Sequence, residues 1–170
     1  VVLNCKNNKS NIENKIELTI DKPLFIDPNY QGSCDPEIIF NDELNQYFIY
    51  YTARRSGKQN TFLQTPIGVA SSKNLASWKF NGYCKFDGKG GTKDVAETFW
   101  APAMMQHENE MHMFVTYKPD TLTTEGYWGG RGSIVHYKTN KSNPINGWKK
   151  VAIMHSDTLS SLDASVYKID

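Results

Sequence analysis

Apolar and polar residues along this chain alternate in short runs; they do not recur at helical spacing. From residue 37 the runs fall at 37–40, 47–53, 67–71, 103–106, 111–117, 133–137 and 151–154, and Gly, Pro, Asn or Asp cluster between them. Period-two alternation over four to eight residues marks half-buried strands, whereas an amphipathic helix repeats its apolar positions at three and four. The pattern therefore predicts an all-β chain.

The runs also recur in order. One module opens on Asp35-Pro36-Glu37-Ile38-Ile39-Phe40, turns through 41–45 and returns as Tyr47-Phe48-Ile49-Tyr50-Tyr51-Thr52; it then adds Ile67-Gly68-Val69-Ala70-Ser71-Ser72 and closes at Trp78. A second opens on Ala101-Pro102-Ala103-Met104-Met105, turns through 107–110 and returns as Met111-His112-Met113-Phe114-Val115-Thr116; Ser133-Ile134-Val135-His136-Tyr137 follows, and Trp148 closes it. A third begins at Leu162-Asp163-Ala164-Ser165-Val166-Tyr167. Pro36 and Pro102 stand 66 residues apart, Trp78 and Trp148 70, and Ala101 and Asp163 62. A period of that size with about four strands per copy predicts β-propeller blades. Blade 1 is placed at about 35–80, blade 2 at about 100–154, and blade 3 from about 162. A propeller closes its ring with four or more blades. The register thus predicts that residues 21–170 form the N-terminal part of a longer propeller; a small two-sheet β domain of natural length is the alternative.

Composition narrows the partners. The 170 residues carry 19 Lys+Arg against 18 Asp+Glu, a net charge of +1, so the sequence offers no basic stripe for nucleic acid or an anionic membrane. Aromatics make up 12%, with four Trp and nine Tyr. Such side chains build cores, and their flat faces also suit sugar rings. The three cysteines, Cys5, Cys34 and Cys84, have neither zinc-site nor disulfide-framework spacing. Val1-Val2-Leu3-Asn4-Cys5 followed by an Asn/Lys-rich run to Lys15 resembles the end of a bacterial lipoprotein signal with its lipidated cysteine. Residues 1–20 are accordingly read as a signal remnant and tether, or as an ordinary polar start with an incidental cysteine. The first reading places the protein in the cell envelope or outside the cell, with Cys5 as its membrane contact. No other stretch approaches the roughly 18 apolar residues of a membrane span.

Side chains at the start of a blade's innermost strand face the central channel. The repeat puts Asp35, Ala101 and Asp163 at this equivalent point, so two of three openings carry a carboxylate. Asp-Pro is also a common turn opening, and Asp163 can cap the Ser160-Ser161 turn. Recurrence at matched positions favours use, because a buried pair of acids is costly unless paired or employed.

Cys34-Asp35-Pro36, Trp100-Ala101-Pro102 and Leu162-Asp163-Ala164-Ser165-Val166, taken in order, resemble the successive blade openings of glycoside hydrolase family 43 and its relatives, including the neoagarobiose-hydrolase-like group. The resemblance spans roughly residues 30–170 and implies a five-bladed propeller that cleaves glycosidic bonds with inversion. It implies Asp35 as the general base that activates water. Asp163 is implied to modulate the pKa of a general acid, usually a glutamate, that belongs to a later blade. An inverting enzyme needs its two carboxyl groups about 6.5–9.5 Å apart to admit water, and strands of separate blades can hold them so. A third carboxylate nearby keeps the acid protonated by like-charge repulsion. The 170 residues alone are expected to be inactive, and the full-length protein monomeric.

Candidate substrate contacts are Trp100, which either stacks on a sugar or fills the blade interface, and Arg54 and Arg55 at the end of a strand. Trp128 and Arg131 lie in the aromatic, glycine-rich loop at 121–132. Glu97 falls outside the blade-opening register. His112 and His136 sit on strands and read as core or inter-blade hydrogen-bonders, and no histidine spacing suits a catalytic metal. No cofactor is expected, although the implied family is compatible with a structural calcium. Gly88-Lys89-Gly90-Gly91-Thr92 lacks Walker spacing and reads as a flexible inter-blade loop. Three functions follow: a glycosidase on plant or algal polysaccharide fragments, a propeller that binds glycans without cleaving them, or a related fructosidase or glycoside phosphorylase.

Overall fold

The computed structural model describes residues 23–55, 62–119, 132–154, 161–167 and 169, with Arg55 described by its backbone alone. Ten strands run in chain order: β1 (Gln31–Asn41), β2 (Gln46–Arg55), β3 (Ile67–Ser72), β4 (Lys79–Tyr83), β5 (Lys85–Phe86), β6 (Lys89–Gly90), β7 (Thr98–His107), β8 (Glu110–Lys118), β9 (Ser133–Asn140) and β10 (Lys149–Ile153). They form two four-stranded antiparallel sheets, β1-β2-β3-β4 and β7-β8-β9-β10, with a small β5-β6 hairpin between them. This is the meander expected of two propeller blades, and no helix occurs among the described residues.

The repeat is reproduced at the level of hydrogen-bond register. In β1–β2, Cys34 opposes Thr52 and Glu37 opposes Tyr50, three steps against two. In β7–β8, Trp100 opposes Thr116 and Ala103 opposes Phe114, again three against two. One extra residue therefore enters each innermost strand at the same place, as Asp35-Pro36 and Ala101-Pro102. Proline suits a bulge because it has no N–H to give the ladder. The residue before each proline takes the left-handed conformation, with φ of 49° at Asp35 and 44° at Ala101; Asp163 matches them at 54°. A bulge of this kind rotates the side chain out of the regular alternation, which re-aims Asp35 and Ala101.

Period two decides which face each residue buries. Phe48, Tyr50, Ile67 and Val69 of blade 1 meet Met104, Met111, Met113, Val115, Val135 and Tyr137 of blade 2, with Phe86 and Phe99 between them. Trp148 lies fully buried in this layer, its indole N–H donating to the Pro144 carbonyl at 3.1 Å. Trp78, its counterpart in blade 1, donates in the same way to Leu75 at 3.1 Å but is only half-buried.

Polar bonds join the same blades. The buried Asn41 side chain donates to the Lys141 carbonyl at 2.8 Å, and Lys141 pairs with Asp42 at 2.8 Å. Gln106 donates to the Phe40 carbonyl across the inner strands.

The segment read as a flexible loop at 88–92 is a built connection. Asp87 and Gly88 both have positive φ, the type I′ geometry that an Asp-Gly pair favours in two-residue hairpins. The hairpin is tied to blade 2, since Asp87 N donates to Trp148 O at 3.0 Å and Lys150 N to the Asp87 carboxylate at 2.8 Å.

Before β1 the chain is held by a buried carboxylate. Asp27 accepts from the hydroxyls of Tyr51 (2.7 Å) and Tyr83 (3.1 Å) and from the amides of Asn29 and Tyr30. Tyr51 reaches Asp27 by lying across Gly68, its partner on β3. A Cβ at Gly68 would fall within the Tyr51 ring. Gly68→Ala is expected to destabilise the chain by about 1–3 kcal/mol, because the ring must leave its place and its bond to Asp27. Urea denaturation checks this, and an unchanged midpoint would contradict the packing described.

Candidate functional site

The bulges place the predicted residues around one recess. Asp35, Thr52, Arg54, Phe62, Trp100, Leu162 and Asp163 line a cavity of about 150 Å³ at the openings of the three inner strands. Behind it, Asp35-Pro36-Glu37, Ala101-Pro102-Ala103 and Ala164-Ser165-Val166 run side by side along a wider channel. Four of the residues anticipated from sequence thus come together: Asp35, Asp163, Arg54 and Trp100. Trp128, Arg131, Cys5 and the Arg55 side chain lie outside the described residues.

Two of the three openings, at Ala101 and Asp163, are bonded alike. Ala101 N donates to Thr52 Oγ1 at 2.9 Å, and Asp163 N donates to Thr116 Oγ1 at 3.1 Å. Two residues earlier, Phe99 N donates to Thr65 O at 2.9 Å and Ser161 N to Gly132 O at 3.1 Å. Each of these two openings is therefore hung on the second strand of the preceding blade by a threonine hydroxyl. It is hung on the approach to that blade's third strand by a main-chain carbonyl. Asp163 follows the same rule, so its equivalence to Asp35 and Ala101 is a matter of backbone geometry as well as spacing.

Both carboxylates are exposed in the 170-residue chain. They share a matched left-handed backbone. Thr52, which sequence reasoning did not single out, donates its hydroxyl to Asp35 Oδ2 at 3.1 Å. No local signal marks it, since its partners lie 17 and 49 residues away.

Trp100 is 4% exposed. Its indole N–H donates to the Phe62 carbonyl at 2.5 Å, and the Lys118 ammonium sits 5.0 Å from the ring centroid. These contacts leave little of the ring open in this chain, and Trp100 forms part of the wall of the recess. Lys118 is itself buried, a cation over the electron-rich face of the indole. Cys34 stands beside Asp35 as a free cysteine; burial is the main cause that raises its thiol pKa, so it stays protonated near neutrality.

Glu97 pairs with Lys89 at 3.5 Å and does not line the recess. Among the described residues, no group of three or more His, Cys, Asp or Glu is placed to hold a metal ion.

His112 and His136 face each other across β8 and β9, ring nitrogens 2.9 Å apart, with Phe114 stacked on His136. Burial lowers the pKa of both, and their mutual repulsion as cations adds to the shift at His136. For groups whose folded-state pKa is depressed, the unfolded chain binds protons first, so their contribution is intact above about pH 6.5 and lost as pH falls below it. Thermal midpoints are expected to decline from pH 7 to pH 5, and the decline should shrink in His112→Gln. A variant with an unaltered slope would remove the pair as its source.

No protein-family model matches the sequence, and no curated protein matches it significantly. Solved structures do resemble the fold. A GH43 β-1,3-galactosidase solved with galactodeoxynojirimycin shares 13% identity, with 71% of this chain and 33% of that one covered and a TM-score of 0.51. A thermostable family-43 glycoside hydrolase shares 21% identity over 75% of this chain and 35% of its own, TM-score 0.46. An exo-1,5-α-L-arabinanase from a bovine ruminal metagenomic library shares 16% over 82% and 41%, TM-score 0.47. The chain spans between a third and about two-fifths of the length of these proteins. Over its described part, the chain has the all-β fold of a portion of a GH43-type β-propeller.

Proposed function

We propose that the chain is the base-bearing part of an inverting glycoside hydrolase acting on poly- or oligosaccharide. The observation that carries the reading is that Asp35 and Asp163, both with left-handed backbones, line one recess with Arg54 and Trp100. In this reading Asp35 accepts the proton of a water that attacks the anomeric carbon. Asp163 raises the pKa of, and orients, a general acid contributed by a later blade. Separate strands supply the groups, which leaves room between them for the nucleophilic water that inversion requires. Arg54 donates to sugar hydroxyls at the rim, and the buried Trp100 shapes the wall against which the ring rests. Arg55, Trp128 and Arg131 remain candidate substrate contacts.

The carbohydrate class is supported by a neighbour of the same fold that is named a GH43 β-1,3-galactosidase, and the near-neutral charge is compatible with a neutral ligand. Proton NMR of the first-formed hemiacetal, with the protein carrying its complete propeller and arabino- and galacto-oligosaccharides as substrates, tests the reading. The expected product has the anomeric configuration opposite to that of the bond cleaved. Retention of configuration would overturn the inverting mechanism. Glycan binding with no product at any pH would instead favour a binding propeller.

A further inference from the structure

We infer that Thr52 is a positioning residue whose hydroxyl fixes the Asp35 carboxylate at the recess and ties it to the opening of blade 2. A threonine hydroxyl has one proton to donate and lone pairs to accept with. Ala101 N–H approaches Thr52 Oγ1 at 2.9 Å, which engages the oxygen as acceptor. The proton is then directed at Asp35 Oδ2, 3.1 Å away.

The mounting is stiff. Thr52 lies on β2, paired with Cys34 on one side and Ile67 on the other, and is 1% exposed, so water does not compete for its hydroxyl. Its β-branched side chain has restricted χ1 freedom. Asp35, in contrast, is exposed and leaves the ladder at a bulge. Its carboxylate takes its direction from the bond to Thr52.

The next blade separates two duties of this hydroxyl. Thr116 stands at the same point, opposite Trp100 and Ile134, and accepts from Asp163 N at 3.1 Å. The inter-blade half of the arrangement is thus repeated. The carboxylate half is not, because residue 101 is alanine and offers no acceptor. Thr52 alone of the two joins a blade contact to a candidate catalytic group. A fixed donor to the carboxylate holds it in one direction, which is what a general base aimed at a water needs.

The catalytic consequence rests on the hydrolase reading, but the bond itself does not, so the test has two arms. In the first, the Thr52 hydroxyl proton is followed by NMR in the chain. It is expected to shift as pH is lowered through the carboxylate range and again in Asp35→Asn, while the Thr116 hydroxyl proton does not respond. A Thr52 proton indifferent to both changes would overturn the inference, with no engineered change at Thr52 needed.

In the second arm, Thr52→Val in the complete propeller is expected to lower kcat about tenfold with KM within about twofold, as for loss of a hydrogen bond to a charged group. Thr52→Ser should restore kcat. Lower thermal stability with kcat unchanged would reduce Thr52 to a structural bond and overturn the proposal. A wild-type protein inert on every glycoside, whose Thr52 proton still follows Asp35, would sink the hydrolase reading and leave the positioning role supported.

Discussion

Asp35→Asn in the complete propeller is expected to lower kcat by about 10²–10⁴-fold while KM changes little, the loss typical of a missing general base. The structure makes this a clean substitution. Asparagine tolerates the left-handed φ of 49° at this position, so the bulge keeps its shape. Its side-chain carbonyl still accepts from Thr52, so the side chain keeps its direction and the blade contact through Ala101 N survives. What disappears is the capacity to take a proton from water. Initial rates of reducing-sugar release, with calorimetric binding of the same oligosaccharide alongside, check the result. Turnover within tenfold of wild type would dismiss Asp35 as the base, whatever the fate of the fold.

Trp148→Ala is expected to destabilise the chain by about 3–5 kcal/mol, the range for truncating a large buried aromatic. For a chain of this size that corresponds to a thermal midpoint lower by roughly 6–20 °C. Trp148 is fully buried where the two blades meet, edge-on to Tyr50 at 6.0 Å and tilted against Phe86 at 6.3 Å. Its backbone also bridges Phe86, which couples the hairpin to the outer edge of blade 2. Removal leaves a cavity whose walls are strands already committed to two ladders, so collapse is limited. Trp78→Ala provides the contrast. That residue makes the same local indole bond but is only half-buried, and its loss should be less than half as large. Paired thermal melts decide the matter; equal losses would show that burial between the blades is not what distinguishes them.

Part of this picture is readable without coordinates. Strand alternation predicts the sheets because period two is set by the pleat of each strand and requires no partner. The two X-Pro openings and the matched tryptophans give the blade register, and that register brought Asp35, Ala101 and Asp163 into correspondence. The Asp87-Gly88 turn was equally open to reading, because Asp-Gly favours the left-handed pair a tight hairpin needs. Glycine content obscured it.

Other features have no local signature. Trp100 and Lys118 are an exposed-looking aromatic and an ordinary lysine in sequence; stacking one on the other takes the second blade and the approach to β3 together.

The sequence by itself therefore determined the all-β class, the blade repeat and the equivalence of the three strand openings, since these follow from local periodicity and from proline's missing N–H. Only the tertiary structure decided that the openings share a left-handed backbone, that Thr52 rather than a neighbouring polar residue holds Asp35, and that Trp148 is core while Trp78 is half-exposed. Those outcomes depend on bonds and contacts between residues tens of positions apart, and such distances close only when one blade packs on the next.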